Sequence, residues 1–87
     1  MKAPYILKKH NITILESSDI RDFIYQINEY FHIRNKIRRD DLVRLMYVYD
    51  IYVNEVREPA LLKYLEILHD NNWMYEENDI IYIKEFI

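Results

Sequence analysis

The side chains that could do chemistry in this chain are basic, acidic and aromatic, because the 87-residue sequence contains neither cysteine nor glycine. A chain without cysteine forms no disulfide, no zinc-thiolate site and no cysteine nucleophile. A chain without glycine lacks the backbone freedom needed for glycine-rich phosphate loops, dinucleotide fingerprints and nucleophile elbows. The composition therefore excludes these nucleotide-binding and hydrolytic chemistries.

The histidines and the paired carboxylates do not form a recognisable metal or catalytic motif. His10, His32 and His69 are far apart, and no two of them have the three- or four-residue spacing of a helical metal site. Glu76 and Glu77 are adjacent on a predicted strand and therefore point to opposite faces, which does not suit a catalytic dyad. We predict no metal, no cofactor and no enzymatic activity.

A basic cluster in the first half is the candidate surface for nucleic acid. Its members, with two lysines that could lie nearby, are Arg34, Lys36, Arg38, Arg39, Lys8 and Lys9. Phosphate contacts from such residues supply much of the affinity for nucleic acid. The alternative is a solvated loop between two helices, since such clusters are common on surfaces and the net charge is −3.

Aromatic and acidic side chains near the C-terminus form a candidate surface for a protein partner. Large apolar and aromatic anchors dominate protein interfaces, and an acidic rim could surround them. The predicted anchors are Trp73, Tyr75, Ile80 and Tyr82, and the predicted acidic rim includes Glu66 and Asp70. Packing between the strands of a hairpin, or against the core, is the alternative interpretation of the aromatic residues.

The elements that position these residues belong to a single domain spanning residues 1–87. Hydrophobic residues make up 51% of the chain and charged residues 31%, a balance typical of a folded domain. The first residues contain only a short apolar run, and no stretch reaches a membrane-spanning length. We therefore expect a soluble, cytoplasmic protein with no membrane partner.

Three amphipathic helices are predicted. The first runs from about Asp19 to Phe31, with Ser17 and Ser18 as candidate N-caps. The second is capped by Asp40 and Asp41 and ends near Tyr49 or Asp50, and a turn follows. The third covers roughly residues 58–71. Its predicted buried stripe is Leu61, Tyr64, Leu65 and Leu68, opposite Lys63, Glu66, Ile67 and Asp70.

A β-hairpin is predicted after the third helix. Asn78 and Asp79 tolerate positive φ and suit a two-residue turn, which would pair Tyr75 with Tyr82. One face then carries Trp73, Tyr75, Ile80 and Tyr82, and the other carries Met74, Glu76, Ile81 and Ile83. Only one face can cover the helices, so the other is available to a partner. Two β-prone patches, residues 5–7 and 12–15, could add short N-terminal strands.

The stretch from Glu58 to Phe86, a Leu-rich helix followed by a break and a hairpin, resembles the recognition helix and wing of winged helix-turn-helix regulators. The resemblance covers about a third of the chain and implies an α+β domain of three helices with a C-terminal hairpin wing. It also implies a third helix in the DNA major groove and a wing on the DNA backbone.

The charge distribution does not suit that docking mode. Residues 1–49 contain nine Lys or Arg and six Asp or Glu, whereas residues 50–87 contain three and nine. The half that would meet DNA is therefore acidic and would be repelled by phosphates.

Three functions remain open from the sequence. The first is a small winged-helix protein in transcription or replication control that acts mainly through protein contact. The sequence is rich in Ile, Tyr and Asn, which indicates AT-rich coding DNA, as in viruses and mobile elements, although AT-rich cellular genomes explain it equally well. The second is a homodimeric repressor that binds DNA through the basic loop. The third is an acidic inhibitor that imitates nucleic acid.

Overall fold

Three helices and two antiparallel sheets make up residues 3–84, the part of the chain that the computed structural model describes. The elements are β1 (Tyr5–Lys9), β2 (Ile12–Ser17), α1 (Ile20–Phe31), β3 (Lys36–Arg38), α2 (Arg39–Met46), β4 (Tyr49–Val53), β5 (Val56–Pro59), α3 (Ala60–Asp70), β6 (Met74–Glu77) and β7 (Ile80–Ile83). The α+β class is confirmed, with more strands than predicted. Glu85 and Phe86, at the end of the predicted hairpin segment, lie outside the described residues.

The first sheet has the order β2-β1-β4-β5 and is made of two hairpins placed side by side. Each hairpin closes through two residues with positive φ, His10 and Asn11 in the first and Asn54 and Glu55 in the second. Positive φ at both central residues produces the turn whose twist matches that of the flanking strands. The predicted N-terminal strands are therefore present, and β4 and β5 extend their sheet.

The prediction for the end of the second helix is wrong. Helix α2 ends at Met46, and residues 49–53 form β4, which pairs along its length with β1. Ile51, Tyr52 and Val53 are β-branched or aromatic, so they favour an extended conformation once a partner strand is available. A β-hairpin, and not a simple turn, therefore separates α2 from α3.

The second sheet has the order β3-β7-β6, and its hairpin has the predicted register. Asn78 and Asp79 have φ of 53° and 63°, and Tyr75 lies opposite Tyr82. Of the two predicted faces, the one that carries Ile81 and Ile83 is buried against the helices. The sequence did not indicate β3, the three-residue strand that pairs with β7.

One core joins both sheets and all three helices. Helix α1 packs on β1 and β2, and α3 packs on β4, β5 and β6. Helix α3 contacts strands of both sheets, and its buried surface includes a residue outside the predicted stripe. Ile67, predicted to face outward, is only 8% exposed.

Two local networks fix the helices. Asp19 is the N-cap of α1 and accepts a hydrogen bond from the Asp22 N–H, so the predicted Ser17 and Ser18 caps are replaced by the next residue. Ser17 supports this cap, because its hydroxyl accepts from the Asp19 N–H at 3.1 Å. In the core, the Tyr64 hydroxyl donates to Asn28 Oδ1 at 2.5 Å, and burial raises the pKa of Tyr64.

Among residues 3–84, no helix is both long and apolar enough to cross a membrane.

Replacing Glu55 by Gly is expected to stabilise the protein. Glu55 has φ of 71°, a left-handed conformation that costs a side chain with a Cβ ~1–2 kcal/mol. Glycine removes that strain but adds ~0.4–1 kcal/mol of unfolded-state entropy, so the net gain lies between about 0 and 1.6 kcal/mol. Thermal unfolding should show a midpoint raised by a few degrees.

Glu16→Gly is the matched control, because Glu16 lies in strand β2, where the backbone is extended. It should lower the midpoint, since glycine weakens a strand interior. A lower midpoint for Glu55→Gly as well would contradict the turn conformation.

Candidate nucleic-acid interface

Strand β3 brings two cations next to the predicted aromatic anchors. Lys36 lies directly opposite Tyr82 on β7, and Arg38 lies opposite Ile80. Directly opposed residues of an antiparallel pair share one face of the sheet. Both cations are exposed, and neither forms an ion pair within residues 3–84. Part of the predicted basic cluster and part of the predicted partner surface are therefore a single surface.

Two stacked tyrosines form the middle of this surface. The rings of Tyr75 and Tyr82 are nearly parallel, with 4.8 Å between centroids and 12° between planes. Tyr75 lies on β6, at the edge of the sheet, and is 51% exposed. Tyr82 is half-buried between Tyr75 and Lys36. A cation on β3, a tyrosine on β7 and a second tyrosine on β6 therefore lie side by side across the sheet.

The strand pairing continues beyond β7 by one further residue. The Lys84 N–H donates to the Trp73 carbonyl at 2.8 Å, so these two residues continue the register of the hairpin. Trp73 is only half-buried, but the Arg21 guanidinium lies 5.1 Å from its ring and the ring packs against the core. Trp73 is therefore more a part of the fold than the predicted free anchor.

We call this side of the β3-β7-β6 sheet the outer face. Its residues are Lys36, Arg38, Tyr75, Glu77, Ile80, Tyr82 and Lys84. It carries three cations and one carboxylate within a chain whose net charge is −3. The outer face is therefore a locally basic and aromatic surface on an acidic protein.

The other predicted basic residues have different roles. The Arg39 guanidinium donates to both carboxylate oxygens of Glu76, at 2.8 Å and 2.5 Å, which ties α2 to the inner side of β6. The hydrogen bond raises the pKa of Arg39 and lowers that of Glu76. Arg34 lies 3.4 Å from Glu29 on α1. Neither arginine belongs to the outer face.

Lys8 and Lys9 belong to the four-stranded sheet and not to the basic cluster. The Lys8 ammonium lies 4.6 Å from the Tyr52 ring, and that of Lys9 lies 5.5 Å from the Tyr49 ring. Burial, together with the hydrogen bond between the Tyr49 and Tyr30 hydroxyls, raises the pKa of Tyr49 to about 12. The two lysines thus extend the aromatic packing around β4.

The predicted acidic rim does not surround the aromatic anchors. Glu66 and Asp70 line a groove together with Met74 and Glu76, whose side chains lie on the inner side of β6. Lys63 contacts Glu66, at 2.5 Å, and also Glu58 at 3.1 Å. These carboxylates raise the pKa of Lys63. The exposed part of α3 is consequently acidic, and it is separate from the outer face.

A groove of about 540 Å³ lies beside the outer face, where α1 meets the end of β7. Its lining includes Asn28, Glu29, Arg34 and Lys84. Asn28 is 8% exposed, and its side-chain oxygen Oδ1 already accepts a hydrogen bond from the Tyr64 hydroxyl. The groove is mixed in charge, and Lys84 is shared with the outer face.

Comparison with known proteins does not assign this surface. No protein-family model, no curated protein and no solved structure matches the chain. Within residues 3–84, no three His, Cys, Asp or Glu side chains are grouped in a way that could hold a metal ion.

Sequence reasoning missed β3, and one signal could have indicated it. Lys36, Ile37 and Arg38 alternate polar, apolar, polar, the pattern of a half-buried strand. Ile37 packs against the core while both cations point outward. Three residues are too few for this pattern to distinguish a strand from a loop.

Proposed function

We propose that this chain is a winged-helix-like module that binds nucleic acid through the outer face. The observation that supports this most is the pairing of β3 with β7, which sets Lys36 beside Tyr82 and Arg38 beside Ile80. Cations contribute phosphate contacts, and exposed tyrosines contribute stacking surfaces for bases. Each set alone is a common surface feature, and together they are typical of a nucleic-acid interface.

The winged-helix part of the proposal is supported by the order of elements. Three helices precede the β6–β7 hairpin, as in the family that the C-terminal third resembles. The chain differs from that pattern by the β4–β5 hairpin between α2 and α3 and by the four-stranded sheet.

Binding through α3 is not favoured. Its exposed side chains include Glu66, His69 and Asp70, and its one lysine already contacts two glutamates. Placing these carboxylates in a major groove would oppose the phosphates. The outer face is the better candidate because its cations exceed its carboxylates.

The test is a titration of fluorescein-labelled oligonucleotides, single-stranded and duplex, followed by anisotropy at low and at physiological salt. The wild-type protein should bind at low salt and weaken as salt rises, because phosphate contacts release counterions. The double variant Lys36→Glu with Arg38→Glu should lose about tenfold or more in affinity, since two contacts become repulsive.

The matched control is Lys8→Glu with Arg57→Glu. These two cations share the outward side of the four-stranded sheet. Because this variant also replaces one Lys and one Arg by Glu, it changes the net charge by the same amount at a different place. The control should bind nearly as well as the wild type. The proposal fails if the wild-type protein binds no nucleic acid at low salt, or if both double variants weaken equally.

Contact with a protein partner is the second candidate. Tyr75, Ile80 and Tyr82 remain accessible on the outer face, and such side chains anchor protein interfaces. Binding of this kind should survive reversal of Lys36 and Arg38 better than it survives Tyr75→Ala. A role in transcription or replication control stays a prediction from the sequence.

A further inference from the structure

We infer that the outer face binds single-stranded nucleic acid in preference to a duplex; this inference rests on the proposed function and names its substrate class. The argument depends on the stacked tyrosines and on the position of the cations relative to them. It also depends on the charges that flank the face.

A base can stack on the exposed tyrosine ring only if it is unpaired. Tyr75 stands at the edge strand with half of its surface exposed, and Tyr82 supports its ring from the other side at 4.8 Å. The faces of bases inside a duplex are already stacked on their neighbours, so a side chain reaches them only in an unpaired or splayed strand. Stacking on aromatic side chains is accordingly the usual way of holding single strands.

The cations lie where the backbone of such a strand would run. Lys36 and Arg38 are two residues apart on β3, hence ~6.6 Å apart along the sheet. Neighbouring strands are ~4.8 Å apart, so Tyr82 and Tyr75 follow at one and two strand spacings from this cation pair. A strand that runs along β3 would therefore place its phosphates on the cations and its bases over the tyrosines.

The surroundings disfavour a duplex, which is wider than a single strand. Glu77 lies on β6, the edge strand on the far side of β7 from β3 and its two cations, and Asp79 lies in the adjoining turn. The second strand of a duplex centred on the face would bring its phosphates towards this acidic side. A single strand avoids that contact because it carries one backbone only.

The experiment compares one labelled strand of mixed sequence with the blunt duplex that it forms with its complement. The full chain is expected to bind the single strand about tenfold or more tightly than the duplex at the same salt. Tyr75→Ala should lose about tenfold in single-strand affinity and leave the weak duplex affinity unchanged, whereas Tyr75→Phe should keep the wild-type preference. The same sequence made as DNA and as RNA identifies which strand is taken, and a preference for either one over its own duplex supports the inference.

Tyr47→Ala is the control for loss of an exposed tyrosine, because Tyr47 is 83% exposed and lies outside the outer face. It should bind as the wild type does. Duplex binding as tight as single-strand binding, or an equal loss for both forms in Tyr75→Ala, would overturn the inference. The proposed function would still stand in that case if Lys36→Glu with Arg38→Glu weakens binding, and it fails separately if no nucleic acid binds.

Discussion

Replacing Ile81 by Ala is expected to lower the free energy of unfolding by about 2–5 kcal/mol, the usual cost of removing a large buried aliphatic side chain. Ile81 is fully buried at the centre of the second sheet, between Ile37 on β3 and Glu76 on β6. The substitution leaves a cavity between this sheet and the helices. Urea unfolding followed by far-UV circular dichroism measures the loss as a lower midpoint.

The neighbouring residue provides the matched control. Ile80 lies on the outer face and is half-buried, so Ile80→Ala should cost about 1 kcal/mol or less. The same variant removes apolar surface next to Arg38. We therefore expect it to lower the affinity for nucleic acid while changing the free energy of unfolding little. Equal destabilisation by the two variants would show that the assignment of the two faces is wrong.

Replacing Phe23 by Ala is expected to cost about 3–5 kcal/mol, the range measured for large aromatic residues in cores. Phe23 is fully buried on α1, and its ring stacks on Tyr5 of β1 at 5.7 Å between centroids. Its removal takes away this contact between α1 and the first sheet and leaves a cavity. A loss of this size is a large part of the roughly 5–15 kcal/mol that stabilises a small domain, so the variant should unfold at much lower urea.

Tyr25→Ala is the control on the same helix, because Tyr25 is 53% exposed. It should change the urea midpoint little. Since one core joins the two sheets, Phe23→Ala and Ile81→Ala should each shift a single cooperative transition seen by every probe. Two separate transitions in Phe23→Ala would contradict a common core.

The features that the sequence predicted well are those set by short-range physics. Helix α1 has a continuous apolar stripe and an acidic first turn, so its limits were predicted within one residue. In the C-terminal hairpin, Asn78 and Asp79 accept positive φ, and a two-residue turn fixes every cross-strand pair that follows. The predicted pairing of Tyr75 with Tyr82 is confirmed for the same reason.

The features that were missed depend on partners far along the chain. The segment after α2 was predicted to be a turn, because its extended conformation becomes favourable only when β1 pairs with it. Ile67 was placed outward because a helix pattern does not show that α3 contacts strands of both sheets. Arg39 was grouped with the other cations, although its partner Glu76 lies on β6.

The sequence by itself determined which side chains share a face within each helix and within the C-terminal hairpin, because the repeat of a helix or strand fixes those directions. It also determined that glycine- and cysteine-dependent chemistries are absent. Only the tertiary structure decided that Lys36 and Arg38 stand beside Tyr82 and Ile80. The physical reason is that a three-residue strand is not stable alone, and its pairing with β7 sets the partly buried Ile37 beside the buried Ile81 at the core.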